Sequence, residues 1–547
     1  MRSQLQRKTN YLSRVCGLVF LFLVVPLGPL GGILFGATSS ARAETLETST
    51  KLPSTSCKAA WRTLIPKNLH KFTPGEDYPA YLERIRRDEC YKDWTILVYM
   101  EADNNLSPYA MADLYEMEAG FKHSPSAGAS TLKTDLIVQV DLPGEEGLRR
   151  LHLFQTSEPY KTHKVEEFKD WTVAKNVQSP LIPDAQGNVA LSKTDGKSEA
   201  QRLQEFLLWG AAKYPSQHYL VIVWGHGQGW GGIAFSEETK KFLKIPELKT
   251  ALHALKTQLG RPIDLYASDA CLMQTAEVAT ELADEATYIV GSSQVESFLG
   301  LPYRRILYEL NKGSFDRVPV TSVKSPGRPK NEPESEPERL SRMIPKIYVQ
   351  SMQSSSGLQG RMDSAGIHNL TISALSSAGL LTNLIPALSQ LSHALDQYLD
   401  EDPFRAPDLQ FSIKKMPSIK GSTQDLNIFL SILEAQMKDE VKLLSAQTAP
   451  SPGAILLTSA IDRLKTLLSL TTGTEATLLA VTFGIDYLKK DVLPNGLSVW
   501  LPATAGEYQR RISDFEGSEF YKLTGWSHWL SKLYPESQTT KGLTKTF

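Results

Sequence analysis

Only four cysteines stand in 547 residues, and several common catalytic signatures are missing. There is no His-Glu-x-x-His, no Cys-x-x-Cys, no phosphate loop ending in Gly-Lys-Ser/Thr and no Gly-x-Ser-x-Gly. These absences remove the commoner zinc, dithiol-redox, phosphate-transfer and serine-hydrolase chemistries. No sign of charge dominates either: 59 Lys and Arg face 60 Asp and Glu, a net charge of -1. With no long basic stripe beyond the N-terminus, nucleic acid is not expected as a partner. Internal repeats are absent too. What is present is 41% hydrophobic residues in a long chain, enough for a large core.

A single long apolar run, Val15 to Phe35, follows the basic residues Arg2, Arg7, Lys8 and Arg14. Ala41-Arg42-Ala43 then offers small residues at cleavage positions, so residues 1–43 are expected to be a signal peptide. The alternative is a retained anchor, which Pro26, Pro29 and several glycines disfavour as a spanning helix. The expected address is the periplasm, cell surface or medium, with no stable membrane span after cleavage. Cleavage also removes Cys16 and leaves Cys57, Cys90 and Cys271. Under oxidising conditions the economical pairing joins Cys57 to Cys90 and keeps Cys271 as a thiol; the alternative keeps all three as thiols.

Residues 44–93 are polar and broken by prolines, and read as an arm. From Trp94 onward, short apolar runs alternate with helical spacings. Strands are expected at 94–100, 136–140, 151–155, 219–224, 263–267 and 287–291. Helices are expected at 109–119, 199–213, 246–259 and 275–282. This alternation predicts a mainly parallel sheet covered on both faces, an α/β fold whose catalytic core spans 94–316. Residues 317–342 are rich in Pro and Glu with almost nothing apolar, and are expected to be a disordered insertion. Residues 343–535 complete the domain, with helices at 372–399, 426–438 and 520–533, strands at 480–485 and 496–501, and an irregular stretch at 400–424. Residues 536–547 form a tail.

Two of these strands end in reactive side chains. Tyr219-Leu-Val-Ile-Val-Trp-Gly leads into His226, and Ile263-Asp-Leu-Tyr-Ala-Ser-Asp-Ala leads into Cys271. Ligands of open α/β sheets bind beyond the carboxyl ends of the strands, so the two could meet there. An imidazole within reach of a thiol supplies the base that makes a thiolate nucleophile. Gly227 lets its backbone N–H approach a developing oxyanion, with the N–H of Cys271 as second donor. Gly227, Gly229 and Gly232 also satisfy the dinucleotide fingerprint, but the following residues 233–241 are polar and no acid sits on a second strand end. Asp269 has two readings: a cap for a helix beginning near Leu272, or a carboxylate beside the nucleophile that pairs with a cationic substrate side chain. A helix start would also favour the Cys271 thiolate.

Trp94-Thr-Ile-Leu-Val-Tyr-Met-Glu-Ala-Asp-Asn-Asn-Leu106, Trp224-Gly-His-Gly-Gln-Gly-Trp230, Asp269-Ala-Cys-Leu-Met273 and Gly291-Ser-Ser-Gln294 together resemble the clostripain-like cysteine peptidases. The tail, Gly496-Leu-Ser-Val-Trp-Leu-Pro502 and Trp526-Ser-His-Trp529, is similar too. The resemblance implies a caspase-like three-layer α/β/α sandwich with His226 and Cys271 as a dyad. It further implies an exported endopeptidase acting on proteins or peptides after Arg or Lys, with Asp269 lining the pocket for that residue. Gln294 belongs to the same wall. After it, where the family continues with acidic residues and a Gly-Trp pair, Val295-Glu-Ser-Phe-Leu-Gly-Leu301 stands instead, with Glu296 the nearby carboxylate. Self-processing occurs in relatives; here the basic bonds after Lys324, Lys330 and Arg339 are the candidates. Calcium dependence also occurs in relatives, but no dense calcium loop is present, so no cofactor is assigned and calcium stays open. The rival from another class is a non-catalytic surface or binding protein that keeps the fold.

Overall fold

A computed structural model describes residues 91–535, apart from 120–127, 132, 145–146, 157–159, 162, 194, 313–334, 354–369, 417–422, 444–448, 470–475 and 484–491. The expected signal segment, Cys57 and Cys90, most of the insertion and the tail lie outside the described residues. Among the described residues no helix is long and apolar enough to cross a membrane.

The strands are β1 Lys92–Glu101, β2 Thr134–Leu142, β3 Gly147–His152, β4 Ser216–Trp224, β5 Ile233–Ser236, β6 Lys241–Leu243, β7 Ile263–Asp269, β8 Ala286–Ser292, β9 Thr371–Ser376, β10 Thr423–Asp425, β11 Leu478–Phe483 and β12 Ser498–Trp500. Eight of them form one sheet in the order β11-β9-β8-β7-β4-β1-β2-β3. The pairs β2/β1, β1/β4, β4/β7 and β7/β8 are parallel, and the outer pairs are antiparallel. Starting from β1 the chain builds β2 on one side and β4 on the other, so strand order reverses between β1 and β4. That switch point is where the carboxyl ends of the strands open a crevice.

The principal helices are α1 Ser107–Glu118, α2 Glu199–Lys213, α3 Ile245–Leu259, α4 Ala276–Leu282, α5 Tyr303–Lys312, α6 Glu336–Gln353, α7 Ile385–Glu401, α8 Arg405–Lys415, α9 Leu426–Leu443, α10 Pro452–Ser469, α11 Ala505–Phe515, α12 Glu519–Thr524 and α13 Ser527–Leu533. Side chains alternate across the sheet because successive residues of a strand point to opposite faces. Leu97, Tyr99, Val221 and Val223 pack with Phe206, Leu248 and the C-terminal helices. Ile96, Val98, Ile222 and Trp224 pack with Leu114, Ile306 and Ile344 on the other side. The result is the expected α/β/α sandwich.

Four expectations about elements are corrected. Ile372 opens no helix; Thr371–Ser376 is a strand because β8 and β11 pair with it on both sides, and that pairing outweighs the spacing of its apolar residues. The stretch 400–424 contains α8, held by Leu409 and Ile413 one turn apart and both buried. Glu336–Arg342, expected in the insertion, belongs to α6, whose Leu340, Ile344 and Ile347 follow a helical stripe into the core. Arg339 therefore sits in a helix rather than in an exposed loop suited to self-cleavage. Finally, residues 520–533 form two helices, because Gly525 adopts a left-handed φ of 61° and ends α12.

Candidate active site

Trp224 on β4 and Asp269 on β7 are direct partners in register. His226 and Cys271 each lie two residues further on, so the topology carries them to neighbouring positions on the carboxyl edge. Gly225 makes this possible at φ 146°, and its N–H donates to the Asp269 carbonyl at 3.2 Å. Gly227 packs so closely that a Cβ there would stand 2.3 Å from the Cys271 carbonyl oxygen. Its N–H makes no hydrogen bond among the described residues, whereas the next one, Gln228, donates to Gly232 at 3.0 Å. His226, Cys271, Asp269, Glu296, Trp224 and Phe298 all line one narrow cavity of about 40 Å³.

The surroundings of Cys271 differ from the expected helix start. Leu272 has a left-handed φ of 65°, and α4 begins only at Ala276, capped by the Thr275 side chain. The helix dipole therefore does not act on the thiol. Instead the backbone N–H of Glu296 donates to Cys271 Sγ at 3.3 Å. Nor does Asp269 cap that helix. Its carboxylate accepts the Tyr303 hydroxyl at 2.7 Å and the Leu301 N–H at 3.1 Å, which ties the 296–303 segment to the end of β7. Gln294 is not among the cavity-lining residues; its carbonyl accepts the Leu272 N–H at 2.9 Å and holds the two loops together.

A residue the sequence reading left without a role completes the edge. Asn105, four residues beyond β1, places Oδ1 2.8 Å from His226 Nε2. An amide oxygen accepts only, so this contact puts the imidazole proton on Nε2 and leaves Nδ1 as the basic nitrogen. Burial lowers the His226 pKa, keeping the ring neutral near pH 7. The signal was in the sequence: two asparagines, Asn104 and Asn105, three and four residues beyond the end of a strand with an apolar middle.

Three buried acids gather at this end of the sheet, and two of them, Asp269 and Glu296, line the cavity with the thiol. Burial raises Asp269 to about 6, against the opposing hydrogen bonds from Tyr303 and Leu301. Burial, then the charge on Asp269, pushes Glu296 well up, and the same two causes raise Asp113, whose Oδ2 accepts Trp224 Nε1 at 2.8 Å. Both Glu296 carboxylate oxygens are buried without a hydrogen-bond partner. No Lys or Arg lines the cavity. A second group of acids, Glu101, Asp141 and Glu199, stands at the ends of β1 and β2 and the start of α2, with ligand oxygens within 4.8 Å of one another. An all-carboxylate donor set suits a hard cation such as calcium and not the softer metals.

The C-terminal part buttresses the Cys271 loop from behind. Ser498 N–H donates to Gln274 carbonyl at 3.0 Å, and Trp500 N–H donates to Glu277 at 2.7 Å. Trp230, at the far end of the His226 loop, meets Trp500 edge-on at 5.7 Å and carries Arg511 3.9 Å above its ring.

The model of the clostripain family matches residues 98–532, which is most of the chain, and the chain belongs to that family. Clostripain of Hathewaya histolytica is 26% identical over 244 residues. That alignment spans 40% of this chain and 42% of clostripain's length. Among solved structures, an inactive zymogen C11 protease from Parabacteroides distasonis aligns with TM-score 0.47 at 16% identity, covering 79% of this chain and 98% of its own. A secreted C11 cysteine protease from Bacteroides thetaiotaomicron, bound to an irreversible peptide inhibitor, aligns with TM-score 0.46 at 18% identity, covering 80% of this chain and 100% of its own.

Proposed function

We propose that the chain is an exported cysteine endopeptidase that cuts after Arg or Lys, with His226 and Cys271 as its dyad. The observation that carries the specificity is the pair Asp269 and Glu296 in the cavity beside Cys271, with no cation near them and both Glu296 oxygens unpartnered. Leaving buried carboxylates without a counter-charge is costly, and a substrate guanidinium or ammonium would relieve that cost. Arg would serve best, since its planar fork meets carboxylates in bidentate fashion. At about 40 Å³ the cavity holds little more than a water, so a basic side chain has to push back the 295–300 segment, on which Phe298 is 53% exposed.

In this reading His226 Nδ1 takes the proton of Cys271 Sγ, and the Glu296 N–H stabilises the thiolate. The sulfur attacks the scissile carbonyl while the Gly227 and Cys271 N–H groups receive the oxyanion. The imidazolium then protonates the leaving amine, and water hydrolyses the acyl-enzyme by the same base. Export rests on the basic, apolar and Ala-x-Ala order of the first 43 residues. A short amide ending in Arg, assayed with Cys271→Ala as control, tests the proposal. Turnover should vanish in the variant, by ~10⁴-fold or more. An inert wild type with an intact fold would support the non-catalytic alternative.

A further inference from the structure

A second cavity, of about 280 Å³, lies among β2, β3 and α2 and shares no lining residue with the one that holds Cys271. Gln139 on β2 and Arg150 on β3 are direct partners in register, so their side chains stand on one face of the sheet. The Arg150 guanidinium rests 4.6 Å from the ring of Trp209 on α2. Its Nε donates to Gln139 Oε1 at 2.7 Å, which fixes the amide. Gln139 is 1% exposed, and its Nε2 is left with no hydrogen-bond partner. Among the described residues no carboxylate stands within ion-pair distance of Arg150. The other cations of the wall are matched, Arg202 to Asp195 at 2.8 Å and Lys197 to Glu205 at 2.7 Å. One acid of the wall also lacks a cation: Asp184 accepts the N–H groups of Gln186 at 2.9 Å and Asn188 at 2.8 Å. The cavity therefore holds one unmatched positive charge beside an unused amide donor, and one unmatched negative charge.

We propose that this cavity binds a small zwitterion, an amino acid or a short peptide, with its carboxylate on Arg150 and Gln139 and a positive group toward Asp184. A guanidinium stacked on an indole keeps its terminal nitrogens in one plane, which suits an acceptor with two oxygens. A buried donor without a partner is costly, and a ligand oxygen on Gln139 Nε2 removes that cost. Only one cation is unmatched, so a monoanion fits better than a phosphate dianion. The volume is close to the ~300 Å³ lower end of small-molecule sites and excludes a long chain. The wall is also held in place: Arg202 donates to the Ser192 and Lys193 carbonyls at 2.7 and 2.8 Å, which pins residues 192–197 to α2. A peptidase releases a new carboxyl terminus with every cut, so its own products belong to this class of ligand. The site itself does not depend on which residues carry the catalysis.

Full-length Cys271→Ala protein provides the test, titrated by calorimetry and followed in thermal melts with lysine, glycyl-lysine, lysine amide and inorganic phosphate. We expect one lysine or glycyl-lysine per chain and a rise in Tm. Lysine amide keeps the cation but lacks the carboxylate, and should bind roughly tenfold more weakly or worse. Phosphate should bind more weakly than lysine. Arg150→Gln should weaken lysine binding by roughly tenfold or more, and Asp184→Asn, at an exposed turn, by a few fold. If Arg150→Gln does not fold, the comparison of lysine with its amide decides, since it leaves the protein untouched. Lysine also has the right charge for the Cys271 cavity, so Asp269→Asn is added as a control and should bind it unchanged. No binding at millimolar lysine or glycyl-lysine, or equal binding of lysine and its amide, would overturn the site. So would binding that is lost in Asp269→Asn and kept in Arg150→Gln. Phosphate binding tighter than lysine would overturn the zwitterion assignment. Wild-type turnover of an Arg amide without lysine binding would overturn this site and leave the peptidase reading intact, whereas lysine binding without turnover would do the reverse.

Discussion

Two groups of carboxylates, all buried but the half-buried Glu199, flank the same edge of the sheet, and they meet the cost of burial differently. Asp113, Asp269 and Glu296 are met only by dipoles: an indole N–H, a phenol and one backbone N–H. Glu101, Asp141 and Glu199 sit beside Lys193, which bridges Asp141 to Glu238. Burial raises acids in both groups, and Asp269 and Asp141 both reach about 6. The contrast lies in access. Asp269 and Glu296 of the first group face a cavity shared with the thiol, where on the proposed reading a substrate cation would meet them; the second group has a cation of the chain itself, Lys193, beside it.

The sharpest way to break this contrast is to remove the bare acids. Asp269→Asn or Glu296→Gln alone should lower kcat/KM on an Arg amide at least tenfold, since a desolvated charge pair is worth ~2–5 kcal/mol. The double variant should lose roughly a hundredfold or more, with coupling between the two sites because they face each other in one pocket. Wild-type efficiency in Asp269→Asn would reduce Asp269 to an anchor for Leu301 and Tyr303.

A pH series sharpens it next. The folded pKa of Asp269 is raised, so its protonated form contributes stability that is complete below the unfolded value near 4 and is lost as pH rises through about 6. Thermal melts of wild type and Asp269→Asn should therefore diverge by about 2–3 kcal/mol in relative stability between pH 4 and pH 7, wild type losing ground as pH rises. A constant difference across that range would mean that Asp269 does not titrate there.

Asn105→Ala tests the edge between the two groups. It frees His226 Nε2, so kcat should fall about tenfold with little change in KM, and the acidic limb set by the imidazole should move in the pH–rate profile. An unchanged profile would make the contact incidental. The smallest effect is expected at Lys193, whose side chain is 18% exposed. Lys193→Met in metal-free buffer should cost about 1 kcal/mol at pH 8 and less at pH 5, where Asp141 is protonated and no longer needs the ammonium. Equal losses at both pH values would show that Lys193 acts through packing alone.

Much of the fold was legible locally. Runs such as Tyr219–Trp224 and Ile263–Ala267 are apolar on both faces, and that pattern belongs to strands buried on both sides. The helices Glu199–Lys213 and Ile245–Leu259 followed their spacing and their caps. Thr371–Ser376 was misread because six residues of mixed character take their state from the strands beside them. Leu272 was misread because a left-handed residue delays the helix, and nothing in Cys-Leu-Met announces it.

By itself, then, the sequence determined most of the strands and helices around the site and that a His and a Cys each follow a buried strand, because period and hydrophobicity are properties of neighbours along the chain. Tertiary structure decided the rest: that β1, β4 and β7 lie side by side, that Asn105 therefore reaches His226, that Glu296 turns its N–H to the thiol and its carboxylate into the cavity, and that Glu101, Asp141 and Glu199 converge. These contacts join residues tens of positions apart, and only the order of strands in the sheet, fixed by hydrogen bonds and packing across the whole domain, brings them within a few ångströms.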